Sequence, residues 1–161
     1  MNKADTTTPT PSSARYTIGI DLGTTHCALS WLDTQASDGE NAVQGVLAVP
    51  QLTGPGTVES PELLPSFIYL PHESELAAGD LALPWAADNN FAAGEFARTR
   101  GAATPIRLVS SAKSWLCHPG VDRRAPLLPA DAPAEVPRVS PLTASIRYLS
   151  HLRWAWDQAH P

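Results

Sequence analysis

The stretch Tyr16-Thr17-Ile18-Gly19-Ile20-Asp21-Leu22-Gly23-Thr24-Thr25-His26-Cys27-Ala28-Leu29-Ser30-Trp31 decides how this chain begins to fold. Two β-branched apolar residues, Ile18 and Ile20, run into Asp21. A turn follows at Leu22-Gly23-Thr24-Thr25, and a second apolar alternation (Cys27, Leu29, Trp31) leads away from it. A period of two on both sides of a glycine-containing turn predicts two strands joined by a tight hairpin. Its tip carries a carboxylate, a glycine and two hydroxyls. Gly23 can take a positive φ and lets the backbone approach a ligand closely. The N–H groups of Gly23, Thr24 and Thr25 can converge on an anion, with the hydroxyls as further donors. An ionised Asp21 only accepts hydrogen bonds, so it does not bind phosphate directly. It suits a hydrated Mg²⁺ that bridges to phosphate, because Mg²⁺ keeps several waters and takes few protein carboxylates. A phosphate cradle beside a metal-positioning acid is a nucleotide site. The plainer alternative is an ordinary hairpin with a polar tip, and the strands on both sides favour the nucleotide reading over it. No Gly-x-x-x-x-Gly-Lys-Ser/Thr loop is present, and the turn leads into a strand instead of a helix.

Outward from this hairpin, sixteen prolines divide the chain into short pieces. Residues 1–14 read as a disordered leader. Asp38-Gly39-Glu40-Asn41 reads as a turn, Val43 to Val49 as a third strand, and Thr53 to Thr57 as a loop dense in Gly and Pro. Leu64 to Leu70 reads as a strand, a short strand is expected around Ala77, and Gly94 to Arg100 as a short helix. Thr104-Pro105 predicts the start of a helix, with Pro at the first position. Ile106, Val109, Ala112, Trp115 and Leu116 form its apolar face up to Cys117. Residues 119–139 hold five prolines and read as an exposed connector. Ser140-Pro141 then opens the clearest helix, with a stripe at Leu142, Ile146, Leu149, Leu152 and Trp156.

Ile18-Gly19-Ile20-Asp21-Leu22-Gly23-Thr24-Thr25-His26-Cys27-Ala28-Leu29 resembles the first phosphate-binding motif of the actin-like ATPase superfamily. The Asp-Leu-Gly-Thr-Thr core is most similar to that of the seventy-kilodalton heat-shock chaperones. Three later segments agree in order. Leu64-Pro65-Ser66-Phe67-Ile68-Tyr69-Leu70 is similar to the Pro-Ser strand of those chaperones. Ala93-Gly94-Glu95-Phe96-Ala97 is similar to their Val-Gly-x-x-Ala turn and helix. Ser111-Ala112-Lys113-Ser114-Trp115-Leu116 is similar to the segment whose lysine works beside the γ-phosphate. Together these cover residues 15–117, and Pro141 to Ala159 resembles the helix that follows. The resemblance implies ATP/ADP and Mg²⁺ as ligands. Gly23, Thr24, Thr25 and the His26 backbone would hold phosphates, Asp21 would position the metal, and Lys113 and Asp21 would be the catalytic residues. It also implies an ATP-hydrolysing chaperone whose partners are unfolded client polypeptides and co-chaperones. The family's second phosphate motif, an Asp-Gly-Gly-Gly-Thr run, has no counterpart here. The expectation is therefore the N-terminal portion of a nucleotide-binding domain over residues 15–161, truncated and inactive alone.

The formal net charge of −5 and the scattered basic residues give no nucleic-acid footprint. No apolar run approaches the length of a membrane span. Met1 to Ser13 lacks the apolar core of a signal peptide, and two cysteines make no disulfide framework, which suits a cytoplasmic protein.

Each candidate has a bland counterpart. Lys113 alone would read as a solvated helix lysine, and the Ala-Lys context raises it. His26 stands where the chaperones have Tyr or Asn, and a tolerated side chain is the simplest account. Cys27, Cys117, His26 and His118 lack zinc-ligand spacing, so Cys27 reads as a buried strand residue. The five tryptophans read as core or interface residues, and Asp33, Asp80 and Glu95 as caps or surface charges.

The expected fold is α/β, the first part of an actin-like (ribonuclease-H-like) lobe, with an N-terminal antiparallel hairpin in a mixed sheet packed by helices. Two rival functions stay open, a sugar or metabolite kinase of the same superfamily and a non-catalytic nucleotide-binding scaffold.

Overall fold

The computed structural model describes residues 14–38 and 40–161. The expected leader lies outside them apart from Ala14, as does Gly39 of the expected turn. Strand β1 (Tyr16–Leu22) pairs antiparallel with β2 (His26–Asp38) through seven consecutive partners, from Tyr16↔Asp33 to Leu22↔Cys27. The alternating sequence sets this register, because a one-residue slip would turn Cys27 and Leu29 out of the core. Beyond Asp33 the pairing of β2 with β3 (Asn41–Val46) shifts register. There the Asp33 carboxylate accepts the N–H groups of Gln35 (3.0 Å) and Ala36 (3.1 Å) and pairs with Arg15 at 3.0 Å. Asp33 is thus a buried brace for the bulge.

The strands form three small antiparallel sheets. The first is completed by β6 (Leu64–Pro65), which joins β2 at its tip end. The second is the hairpin β4 (Gln51–Gly54) and β5 (Thr57–Glu59). The third places β7 (Ile68–Tyr69) between β8 (Ala92–Ala93) and β9 (Leu108–Val109). The helices are α1 (Glu95–Ala103), α2 (Ala112–Leu116) and α3 (Pro141–Ala159). The fold is mixed α/β. Every strand pair among the described residues is antiparallel, which corrects the expected mixed sheet. Strands β8 and β9 flank β7 and so run parallel to each other, with α1 as the crossover, but β7 lies between them.

Five further expectations are corrected. The residues read as a loop at Thr53 to Thr57 form a hairpin turn, made possible by Gly56 at φ 63°. The strand read over Leu64 to Leu70 breaks at Ser66-Phe67 into β6 and β7, because the two halves pair with different partners. No strand forms at Ala77, which lies in a turn whose N–H bonds to Asp80 at 2.8 Å. The helix expected from Thr104 to Cys117 is a single 3₁₀ turn (Pro105–Arg107), then β9, then the short α2. Val109 is buried opposite Ile68, and that long-range pairing overrides the local helical spacing. The proline-rich connector turns Leu128, Ala132, Val136 and Val139 inward, so it is a strap over the core more than an exposed link.

Helix α3 begins as expected, with Pro141 at the first position and the Ser140 hydroxyl accepting the Thr143 N–H at 2.9 Å. Its buried face differs from the expected stripe. Ala144, Ser145, Tyr148, His151, Leu152 and Ala155 face inward, while Ile146 is 52% and Leu149 38% exposed. Small residues at 144, 145 and 155 let the helix lie close to the sheet. The main core joins Cys27 and Leu29 of β2, Ile68, Val109, Ala112 of α2, and Tyr148 and Leu152 of α3. Of the tryptophans, Trp85, Trp115 and Trp156 pack against this core, whereas Trp154 is exposed. No helix among the described residues is long and apolar enough to cross a membrane.

Candidate functional site: the β1–β2 hairpin tip

The hairpin tip is held from below. The Ser66 hydroxyl donates to the Gly23 carbonyl at 2.9 Å, and the Ser66 N–H donates to the Thr25 carbonyl at 2.8 Å. The buried Cys27 sulfur lies 3.3 Å from the same Ser66 oxygen. With the Ser66 proton committed to Gly23, the thiol S–H is the donor to Ser66. Burial pushes the Cys27 thiol up, so it stays protonated at neutral pH.

Gly23 is required for a reason other than the one expected. Its φ is not in the left-handed range. A Cβ there would sit 2.1 Å from the His26 carbonyl oxygen, so the turn closes tightly enough that no side chain fits.

Thr24 and Thr25 are exposed. Among the described residues neither their N–H groups nor their hydroxyls have an acceptor in the protein. The tip therefore presents up to four donors to the outside, on a backbone whose carbonyls are tied to Ser66. Asp21 is exposed on the sheet face opposite α3, across from Ala28, and has no salt-bridge partner among the described residues.

Lys113 is exposed on α2, which is anchored by Ala112 in the same core as Cys27. The charges of Asp21 and Lys113 both reach the Cys27 thiol, with opposite sign. Ala112 thus ties the helix that carries Lys113 to the core that also holds Cys27. Its helix is short and starts from Ser111 in a left-handed conformation (φ 53°). The His26 side chain points elsewhere, into a cavity of about 310 Å³ lined with Gln51, Glu59 and Glu95. Among the described residues no three His, Cys, Asp or Glu side chains cluster as a metal site. A lone exposed carboxylate such as Asp21 fits a metal held mainly by water and phosphate, and it does not fit a protein-caged ion.

Two supporting residues carried no local signal. Ser66 looked like one residue of a strand, and only its position below the turn reveals the pin. Gln51 is fully buried, and its Oε1 accepts the Glu95 N–H at 2.9 Å, capping α1 where Gly94 offers no side chain.

No family model matches the chain, and no curated protein or solved structure matches it.

Proposed function

We propose that the hairpin tip binds the phosphates of a nucleotide, and that the chain is the opening part of an ATP-binding domain of the actin-like kind, of the heat-shock-seventy branch. The observation that carries this reading is the pair Thr24-Thr25, with unengaged backbone and hydroxyl donors on a turn immobilised by Ser66. Lys113 and Asp21 would complete the site, and the charges of both reach the Cys27 thiol. The two threonines would hold phosphate oxygens, and the Lys113 ammonium would balance charge at the terminal phosphate. Asp21 would hold Mg²⁺ through water, and the ion would neutralise phosphate charge. In a complete ATPase this arrangement supports slow hydrolysis coupled to conformational change, with chaperone activity on unfolded clients as its use.

In this chain the nucleotide would be open to water on its far side, where charge contacts are screened. Binding of Mg-ATP should therefore be weaker than micromolar. Amide NMR titration tests the reading. The Thr24 and Thr25 resonances should move first and saturate together. Shifts spread evenly over the surface, or confined to another region, would refute it.

A further inference from the structure

Eleven of the chain's sixteen Asp and Glu residues lie between Arg15 and Arg98, a stretch that holds no Lys or Arg. Three of them are paired by arginines outside the stretch: Asp33 by Arg15, Glu75 by Arg100 and Glu95 by Arg98. Glu73 and Asp88 are exposed and have no salt-bridge partner among the described residues. Unbalanced charge of one sign raises the local concentration of cations.

Glu73 and Asp88 both lie on one cavity of about 430 Å³, lined from within residues 71–79 and 87–90 and by Leu81. Its apolar part is Leu76, Ala77, Ala78, Leu81 and Ala87, of which Leu81 is buried and Leu76 half-buried. No Phe, Tyr or Trp lines it, and no Lys or Arg. The walls are held in place. The Glu75 carboxylate accepts the hydroxyl of the buried Tyr69 at 2.6 Å and the His72 N–H at 3.2 Å. The Asp80 carboxylate accepts the Ala77 N–H at 2.8 Å, and the Asn89 amide donates to the Leu81 carbonyl at 3.1 Å.

This lining selects the chemistry of a ligand. Ionised carboxylates only accept hydrogen bonds, so the ligand must donate, and with no cation on the cavity an anion is repelled. His72, Glu73 and Asp88 do not converge as a metal site. Two carboxylates that do not share one ion, on a cavity with an apolar floor, suit two cationic ends joined by an apolar middle. Walls of Ala and Gly take a slim methylene chain, whereas an aromatic ring would find no aromatic face to pack on.

We infer that this cavity binds an aliphatic diamine, with one ammonium at Glu73, the other at Asp88, and the methylenes on Leu76 and Leu81. Each ammonium brings three donors, and the Asn90 side chain on the same cavity offers a further acceptor. The cavity lies between two of the segments similar to the chaperones, Leu64 to Leu70 and Ala93 to Ala97, so its ligand is independent of a nucleotide at the hairpin tip.

The test is an amide NMR titration of the chain with 1,5-diaminopentane at about 0.15 M salt, where attraction between charges more than about 8 Å apart is screened. Resonances of residues 71–90 should move and saturate in the millimolar range or below. Pentylamine should bind about three- to fivefold more weakly, the worth of one exposed ion pair, and 1,5-pentanediol should not saturate. The double variant Glu73→Gln, Asp88→Asn should weaken diamine binding at least about tenfold. Both side chains are exposed and without a salt-bridge partner, so the fold should be retained, which circular dichroism checks. The double variant Glu40→Gln, Glu62→Gln removes the same charge from exposed positions elsewhere in the stretch and should leave the affinity unchanged.

Absence of a saturable response to the diamine overturns the inference, as do shifts confined to another region. So does equal binding of the diol, or equal weakening by the two double variants, which would mean diffuse attraction to an acidic surface.

Discussion

The hairpin and the Lys113 segment share one core but are built in opposite ways. The hairpin is specified redundantly: seven cross-strand pairs, a turn that admits only glycine at position 23, and two hydrogen bonds from Ser66. The segment from Thr104 to Cys117 changes conformation three times in a few residues and starts α2 from a left-handed serine. Its position comes from Val109 and Ala112 in the core, not from local preference. The Thr24 and Thr25 donors therefore sit on a pinned turn, and Lys113 sits on an element that the rest of the protein holds in place.

The largest effect should come from the rigid side. Gly23→Ala drives a methyl into the His26 carbonyl, and the turn must open. The expected loss is about 3 kcal/mol or more of stability, read by urea denaturation, as for other steric outliers. A loss under about 1 kcal/mol would mean the turn is far softer than the pinning implies.

The helix that supports α2 should respond to acid. His151 is buried against Trp85, with its Nε2 2.8 Å from the Pro50 carbonyl. Burial lowers its pKa to about 4, with the Pro50 contact opposing. The unfolded chain therefore binds the proton more readily between about pH 6.5 and about pH 4. Stability is full above that window and falls as pH drops through it, by roughly 3 kcal/mol in total. His151→Gln keeps a donor toward Pro50 and removes this titration, so its stability should depend less on pH in the window. An unchanged pH profile would place the acid sensitivity elsewhere.

A smaller effect is expected at Ser66. Ser66→Ala removes the bond to the Gly23 carbonyl and the acceptor for the Cys27 thiol, at about 1–2 kcal/mol. Hydrogen exchange should speed up at the Ser66 amide, bonded to the Thr25 carbonyl, more than at the Cys117 amide, bonded to the Lys113 carbonyl. Equal acceleration at both would erase the contrast between the two regions. The smallest effect has the opposite sign. Ser111→Gly relieves a left-handed serine, and after the added chain entropy it should stabilise by about 0.5 kcal/mol.

The same contrast decided what could be read from the sequence. Alternation from Tyr16 to Trp31 revealed the hairpin because its pairing partners are adjacent in sequence. Ser140-Pro141 revealed the start of α3 because capping is local. Val109 looked helical because its strand partner Ile68 lies far away in the chain. The inward face of α3 was misread because Ala144, Ser145 and His151 are buried by close approach to the sheet, while Ile146 and Leu149 stay outside. At the site, Thr24 and Thr25 were legible as donors. The steric need for Gly23 and the pin from Ser66 depend on contacts that no local pattern records.

The central claim is that the tip and Lys113 together face a chain of phosphates. The most direct measurement is the movement of the Thr24 and Thr25 amide resonances with AMP, ADP and ATP in the presence of Mg²⁺, in the parent chain and in Lys113→Ala. The account predicts that affinity rises with phosphate number in the parent. In Lys113→Ala the step from ADP to ATP should shrink while the shifts at Thr24 and Thr25 persist. Equal response to all three nucleotides, or an unchanged series in Lys113→Ala, would contradict it.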